Sequence, residues 1–185
     1  MLRIHIISAT DRPGSNALKV SKYSEQFLAE NAETKIFSLR DFPFQDVVGG
    51  KYGNTPESVK EFNKELLDAD GFLFVIPEYN GGFPGVLKLF FDYLPFPKAL
   101  KKKPVSLIGE AAGAFGALRP VEQFEQLLKY RKAHIYPERM FIQRVNDNFD
   151  PEEGLSNEKM QELLESQLRN FPDFVTKISE ELIHA

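Results

Sequence analysis

The 185-residue sequence contains neither cysteine nor tryptophan. Without cysteine it has no disulfide, thiol nucleophile, CxxC redox motif or thiolate metal site. This composition suits a reducing compartment, and we expect a cytoplasmic protein. The chain enters a strand-like run at once, without the basic and apolar segments of a signal peptide. No apolar stretch approaches the ~20 residues that a membrane span requires.

An excess of basic charge is also missing. Lys and Arg number 23 against 27 Asp and Glu, which gives a formal net charge of -4. Such a chain gains little from the phosphates of DNA or RNA, so we expect no nucleic-acid partner. The basic run at residues 101–103 precedes an apolar segment and is interpreted as a solvated loop.

Several enzyme signatures are absent. There is no GxSxG motif, so α/β-hydrolase chemistry is unsupported. The loop after the first apolar run has neither the Gly-Lys-Ser/Thr of nucleotide-triphosphate loops nor the GxGxxG of dinucleotide-binding domains. The histidines His5, His134 and His184 lack the spacing of a metal site, and we expect no bound metal.

The remaining composition is that of an ordinary globular protein. Hydrophobic residues make up 42% and charged residues 27% of the chain, and 17 phenylalanines suggest a Phe-rich core. The length is typical of one domain, so we expect residues 1–185 to form a single domain.

Short apolar runs alternate with stretches of helical periodicity, which is typical of βαβ units and a parallel sheet. Strands are predicted at residues 2–7, 34–39, 71–76 and 104–108 and within 133–142. Helices are predicted at residues 18–30, from Thr55 onward, at 85–94, at 118–130 and at 157–183. Thr55 is the expected N-cap of the second helix, with Pro56 at its first position. Asn157 is the expected N-cap of the last helix, which Pro172 would kink or restart.

Three segments of unusual composition follow predicted strands, at residues 8–16, 77–82 and 109–116. Open doubly wound sheets bind ligands outside the carboxyl ends of their strands. We therefore expect these three segments to meet at one edge of the sheet.

The first segment, SATDRPGSN, holds three hydroxyls, an amide and an arginine, and ends where a helix begins. A helix N-terminus presents free N–H groups and about half a positive charge, which suits a phosphate. A terminal phosphate such as that of FMN fits this segment. A polar turn in which Ser15 or Asn16 caps the helix explains it equally well.

The other two segments could border a flat ring. In the second, Asn80-Gly81-Gly82 allows positive φ angles and exposes N–H groups beside Tyr79, although a surface turn has the same composition. The third, GEAAGAFG, is built of small residues against which a planar ring could lie. Taken alone, that segment is explained better by tight packing of a helix on a strand.

Together the three segments resemble those of the NADPH-dependent FMN reductase family, which includes azobenzene, quinone and chromate reductases. The most specific match is PEYNGGFPG with the Leu-Lys and Asp that follow it, and the resemblance extends over residues 2–142. The sequence differs from the family pattern at Ser8-Ala9, at Phe90 and at Glu110-Ala111-Ala112.

The resemblance implies a flavodoxin-like α/β fold of three layers around a doubly wound, five-stranded parallel sheet in the order 2-1-3-4-5. It also implies an FMN-dependent NAD(P)H oxidoreductase. In this activity NADPH or NADH gives a hydride to FMN, which then reduces a flavin, quinone, azo compound or similar small acceptor by ping-pong kinetics. No catalytic side chain is needed. The family commonly forms homodimers or homotetramers.

The resemblance also assigns roles to individual residues. The phosphate would be held by Thr10, Arg12, Ser15 and Asn16. The flavin ring would be lined by Pro77, Glu78, Tyr79, Asn80, Gly81 and Gly82. Its other edge would be closed by Gly109, Glu110, Ala111, Ala112 and Gly113.

Alternatives remain for the function and for the aromatic residues. A flavodoxin-type electron carrier, or a non-catalytic module that has lost the cofactor, would show much of the same pattern. Tyr79, Phe83 and Phe115 could be walls for a flat substrate or simply structural aromatics. An apolar cluster could form a subunit interface or lie in the core; its members are Phe83, Phe91, Tyr93, Leu94 and Phe96.

Overall fold

A five-stranded parallel sheet lies at the centre of the computed structural model, which describes residues 1–183. Its strands are β1 (Arg3–Ser8), β2 (Glu33–Ser38), β3 (Gly71–Pro77), β4 (Pro104–Glu110) and β5 (His134–Ile142). They are ordered β2-β1-β3-β4-β5 and all neighbouring pairs are parallel. The predicted order 2-1-3-4-5 is therefore confirmed. His184 lies outside the described residues.

Helices cover both faces of this sheet. They are α1 (Asn16–Leu28), α2 (Phe44–Val47), α3 (Glu57–Leu66), α4 (Gly85–Asp92), α5 (Leu118–Tyr130), α6 (Val145–Asn148) and α7 (Glu158–Ile183). Side chains of α1 and α7 pack on one face, and those of α3, α4 and α5 pack on the other. The result is the three-layer α/β architecture that the resemblance implies.

The central strands explain why unbroken apolar runs were good predictors of the sheet. Every residue of β3 and β4 is buried, because helices cover both faces of these two strands. Within β3, Leu73 and Val75 point to the α1/α7 layer, whereas Phe72 and Phe74 point to the opposite layer. In the edge strand β2, the first four residues alternate between exposed and partly buried, and only Phe37 is buried.

Phenylalanine fills much of the core, as the composition suggested. Phe72, Phe74, Phe90 and Phe124 are fully buried on the face covered by α3, α4 and α5. Edge-to-face and tilted contacts join several of these rings, including Phe74 with Phe124 at 5.1 Å between centroids.

The apolar cluster that could have formed a subunit interface belongs mainly to this core. Phe91, Tyr93 and Leu94 are buried within the single chain, and Phe83 is partly buried against the same core. Phe96 differs, since 64% of its surface is exposed. The core interpretation therefore holds for most of the cluster.

Three strands run further than predicted, and the first of them is β1, which continues through Ser8. β3 continues through Pro77, and β4 continues through Gly109 and Glu110, which were assigned to the third loop. The extension occurs because Gly109 and Glu110 pair with Phe141 and Ile142 of β5 on one side. On the other side they pair with the end of β3.

Of the two predicted helix caps, one is wrong and one is confirmed. The Thr55 cap is wrong: α3 begins at Glu57, because Pro56 keeps an extended ψ of 151° and precedes the helix. The Asn157 cap is confirmed, since its Oδ1 accepts the N–H of Met160 at 3.0 Å. Pro172 lies inside one continuous helix, α7.

Two further stretches of the chain contain short elements. Residues 41–54 include α2, and a two-stranded antiparallel ribbon after β5 pairs β6 (Phe149–Asp150) with β7 (Gly154–Leu155). Among residues 1–183, no helix combines the length and apolarity needed to cross a membrane.

Candidate functional site

The carboxyl ends of β1, β3 and β4 meet around one cavity of about 360 Å³. It lies within the range of about 300–1,000 Å³ typical of small-molecule sites. Its lining residues are Arg12, Pro13, Gly14, Ser15, Asn16, Lys19, Pro77, Glu78, Tyr79, Glu110, Ala111, Ala112 and Asn146. Residues of all three predicted segments line this cavity. The three segments therefore meet at one edge of the sheet, as expected.

A larger cavity, of about 430 Å³, lies between β5, the β6–β7 ribbon and the start of α7. None of its lining residues is charged and none belongs to the three segments. The smaller cavity is the better candidate site because it joins cations and helix N–H groups at the switch point between β1 and β3.

The first segment forms the polar end of this cavity. Ser15 is the N-cap of α1, and its Oγ accepts the N–H of Leu18 at 3.2 Å. Asn16 starts the helix, and its side chain donates to Oδ1 of Asn146 at 2.7 Å. The capping interpretation of Ser15 is therefore confirmed. It is compatible with anion binding, since the cavity still borders the helix N-terminus.

Thr10 does not line the cavity but contacts two residues that do. Its side chain is 1% exposed, and its hydroxyl lies 2.7 Å from the hydroxyl of Tyr79. The same Oγ1 accepts the N–H of Arg12 at 3.3 Å. Thr10 thus positions two residues that do line the cavity.

The second segment makes a tight turn after β3. Tyr79 and Gly82 exchange backbone hydrogen bonds of 2.9 and 3.0 Å. Between them, Asn80 and Gly81 have φ angles of 52° and 79°, as a type I′ turn requires. Positive φ is confirmed for these two residues. Pro77, Glu78 and Tyr79 line the cavity, while the turn itself lies beyond the lining.

The third segment divides into two parts. Glu110, Ala111 and Ala112 line the cavity. Gly109 does not line it, because the backbone of Gly116 covers this residue: a Cβ at Gly109 would lie 2.6 Å from the carbonyl oxygen of Gly116. Tight packing of strand on helix explains Gly109. Gly113 has open space around it and lies outside the lining.

The charges in the cavity are mixed. Arg12 and Lys19 are exposed cations, and Glu78 and Glu110 are carboxyl groups. Burial raises the pKa of Glu110 to about 7, while the backbone N–H of Ala17 and the charges of Arg12 and Lys19 act in the opposite direction. Glu110 is 5% exposed. The polar end of the cavity therefore contains a carboxyl group that titrates near neutral pH.

Lys19 and Asn146 were missed by the sequence reasoning. Lys19 lies one helical turn after Asn16 and donates to its Oδ1 at 3.3 Å, so helical spacing could have found it. Asn146 comes from α6, after the fifth strand, and no local motif marks it. Its place depends on a fold contact in which Val145 donates to the carbonyl of Ala111 at 3.0 Å.

The hydrogen-bond donors that line the cavity are suited to binding the phosphate of a flavin rather than to catalysis by side chains. Hydroxyl, amide, guanidinium and ammonium groups surround a helix N-terminus, and Gly14, with φ 63°, shapes the approach. Tyr79 and the two alanines provide flat, small surfaces next to it. Among residues 1–183, no group of three or more metal-ligating side chains is arranged to hold a metal ion.

Comparison with known proteins identifies the family of this chain. Residues 2–147 match the family described as NADPH-dependent FMN reductase. An NAD(P)H-dependent FMN reductase of Pseudomonas aeruginosa is 30% identical over 126 residues, covering 66% of this chain and 68% of that protein. A quinone reductase of Escherichia coli is 29% identical over 145 residues, covering 76% and 77%.

A likeness in fold is also found. The flavoenzyme NAD(P)H:(acceptor) oxidoreductase FerB of Paracoccus denitrificans superposes with a TM-score of 0.79. The match covers 96% of this chain and 98% of that chain at 21% identity, and so concerns the fold alone.

Proposed function

Since the chain belongs to the NADPH-dependent FMN reductase family and is an FMN-dependent NAD(P)H oxidoreductase, we propose that its FMN binds in the three-segment cavity. The observation that supports this site is the convergence of the three segments on one cavity beside the N-terminus of α1. FMN supplies hydride acceptance from NAD(P)H and electron delivery to a second acceptor, and the chain supplies binding and orientation.

We propose the following roles for the predicted residues. Arg12, Ser15 and Asn16 bind the phosphate together with Lys19, and Thr10 positions Arg12 and Tyr79. Pro77, Glu78, Tyr79, Ala111 and Ala112 border the ring system. Asn80, Gly81, Gly82 and Gly113 lie at the rim, where a ring extending from the cavity would meet them, and Gly109 acts in packing.

Flat, small-molecule oxidants are the proposed acceptors, namely flavins, quinones, azo compounds and similar molecules. The relatives named above as FMN and quinone reductases support this class. Phe115, in the third segment, is 56% exposed, and the guanidinium of Arg119 lies 4.8 Å from its ring centroid, so it offers an aromatic surface. We propose that it contacts the acceptor or the nicotinamide.

The decisive experiment is an absorbance spectrum of the purified protein, followed by anaerobic titration with NADPH and, separately, NADH. We expect a bound-flavin spectrum that bleaches with a reduced nicotinamide and recovers when a quinone is added. A flavin spectrum that neither nucleotide bleaches would indicate an electron carrier. Absence of flavin binding after incubation with FMN would indicate a non-catalytic module.

The proposed phosphate site has its own test. Arg12→Ala should weaken FMN binding more than riboflavin binding, because riboflavin lacks the phosphate. Arg40→Ala is the matched control, since Arg40 is also an exposed arginine but follows β2 and is not part of the cavity lining. Equal loss of both ligands in Arg12→Ala would place the phosphate elsewhere.

We further propose that the chain is one domain of residues 1–185 that acts in the cytoplasm as a homodimer or homotetramer. α7 supports the single domain because it packs against α1 and the sheet. Phe96 and Tyr130 support association, since they are exposed neighbours with ring centroids 6.3 Å apart. Light scattering after size-exclusion chromatography measures the mass, and Phe96→Ser should lower it if this pair lies in the interface.

A further inference from the structure

Glu110 occupies an unusual place for a carboxyl group. It ends β4, is 5% exposed, and lines the cavity with Arg12, Ser15 and Lys19. The backbone N–H of Ala17, in the first turn of α1, is near enough to this carboxyl group to favour its ionised form. The side chain therefore brings an acidic group to the helix end that the proposed phosphate site uses.

Some backbone N–H groups of that first turn already have hydrogen-bond acceptors within the protein. Leu18 donates to Oγ of Ser15 at 3.2 Å, and Lys19 donates to the carbonyl of Ser15 at 3.2 Å. The N–H of Ala17 lies on the side of the Glu110 carboxyl group and favours its ionised form. A phosphate placed at this helix end must share it with the carboxyl group of Glu110, and two anions in contact are strongly unfavourable.

A proton relieves this conflict. We propose that Glu110 is a specificity-determining residue that takes up one solvent proton when the phosphate of FMN binds, so that FMN affinity falls as pH rises whereas riboflavin affinity does not. The inference rests on the proposed function and deepens it. Once protonated, the carboxyl group is a hydrogen-bond donor, and its O–H can be donated to the phosphate.

The groups that face Glu110 decide whether such uptake is possible. Arg12 approaches from the loop before α1 and Lys19 from α1, and both are exposed and thus partly screened by solvent. Glu78 and Tyr79 line the same cavity from the end of β3, and the neutral Asn146 lines it from α6. Two screened cations therefore favour the ionised form of Glu110, burial opposes it, and a second carboxyl group, that of Glu78, lines the same cavity.

The direction of the effect follows from burial. Burial raises the pKa of Glu110 to about 7, so the free protein carries a growing fraction of carboxylate above that pH. The phosphate of FMN is mainly a dianion there, because the second pKa of a phosphate monoester is about 6. Binding then requires protonation of Glu110, and FMN affinity should fall by up to about tenfold per pH unit above 7.

Calorimetric titration of the full-length apoprotein with FMN and with riboflavin, from pH 6.5 to 8.5, tests this inference. Buffers of different ionisation enthalpy give the number of protons taken up. We expect an uptake approaching one proton with FMN at pH 8, and none with riboflavin. Glu110→Gln should abolish the uptake and flatten the pH dependence of FMN affinity, which at pH 8 should exceed that of the wild type by roughly tenfold.

Glu78→Gln is the matched control, since it removes a half-buried carboxyl group from the same cavity and leaves Glu110 in place. It should retain the proton uptake. Glu110→Ser provides a second variant, and riboflavin affinity reports whether the cavity remains intact in either one. The same proton uptake in wild type and in a Glu110 variant that binds riboflavin normally would overturn the inference.

Failure of the proposed function would look different. In that case the wild type would bind neither FMN nor riboflavin at any pH. If FMN binds with a pH-independent affinity, the function stands and the role of Glu110 is refuted.

Discussion

The hydroxyl oxygens of Thr10 and Tyr79 lie 2.7 Å apart, in a hydrogen bond that joins the loop after β1 to the end of β3. Thr10 is buried and also accepts the N–H of Arg12. This hydrogen bond therefore joins two of the three segments that line the cavity. The two residues are 69 positions apart in the sequence, and the sequence around each of them does not predict the contact.

The bond between Thr10 and Tyr79 should appear as a coupling energy. Thr10→Val and Tyr79→Phe should each lower the free energy of unfolding by about 1 kcal/mol, because a partly buried hydroxyl loses its partner. The double variant should lose less than the sum, with a coupling of about 0.5–1.5 kcal/mol in urea denaturation. Tyr52→Phe, at an exposed tyrosine, should change stability by less than about 0.5 kcal/mol. Strictly additive effects would contradict the role of the bond.

Ser15 should have two separable roles. Ser15→Ala removes the N-cap of α1 and should lower stability by about 1 kcal/mol. It should also weaken FMN binding more than riboflavin binding if its hydroxyl faces the phosphate. Ser38→Ala is the control, because Ser38 caps a 3-10 turn after β2 by accepting the N–H of Arg40 at 3.3 Å. That variant should lose stability without any change in flavin selectivity, and identical flavin affinities in both variants would contradict the second role.

The fold was predictable because local and global signals agree. The apolar runs at 71–76 and 104–108 are strands buried on both faces, and this burial is why they contain almost no polar residue. The alternation of strands and helices indicated a parallel sheet. The strand order itself came from the resemblance to a family.

The site was predictable only in outline. Segments could be assigned to one sheet edge, since the carboxyl ends of parallel strands meet there. The role of each side chain could not, because it depends on contacts distant in sequence. Thr10 supports the cavity rather than lining it, and Asn146 enters from beyond β5. The Thr55 cap failed for a local reason, namely the extended conformation of Pro56.

Gly109 and Gly113 differ in how closely the protein packs around them. A Cβ at Gly109 would meet the carbonyl of Gly116 at 2.6 Å and Val121 at 3.0 Å, whereas nothing lies within 4 Å of one at Gly113. Gly109→Ala should therefore lower the free energy of unfolding by about 1–3 kcal/mol. Gly113→Ala should change it by less than about 0.5 kcal/mol. Thermal denaturation of the two variants measures the difference, and equal stabilities would show that β4 and α5 can move apart at no cost.

Two buried groups give stability opposite dependences on pH. Burial lowers the pKa of His5, whose Nδ1 lies 2.8 Å from the carbonyl oxygen of Leu66. The unfolded chain then binds more protons below pH 6.5, so this contribution weakens as pH falls through that value. Burial raises the pKa of Glu110, so its contribution is complete below the ordinary value of 4.5 and is lost as pH rises through about 7.

Comparison of Glu110→Gln with the wild type isolates the carboxyl group, because His5 is common to both proteins and its effect cancels. A pKa raised from 4.5 to about 7 corresponds to on the order of 3 kcal/mol. Between pH 4.5 and 8, the wild type should therefore lose on the order of 3 kcal/mol of unfolding free energy relative to the variant. Urea denaturation at half-unit pH steps, without flavin, measures this difference. A difference that stays constant over the window would mean that Glu110 is hydrated in the folded protein, and the proton-linked selectivity proposed for FMN would lose its physical basis.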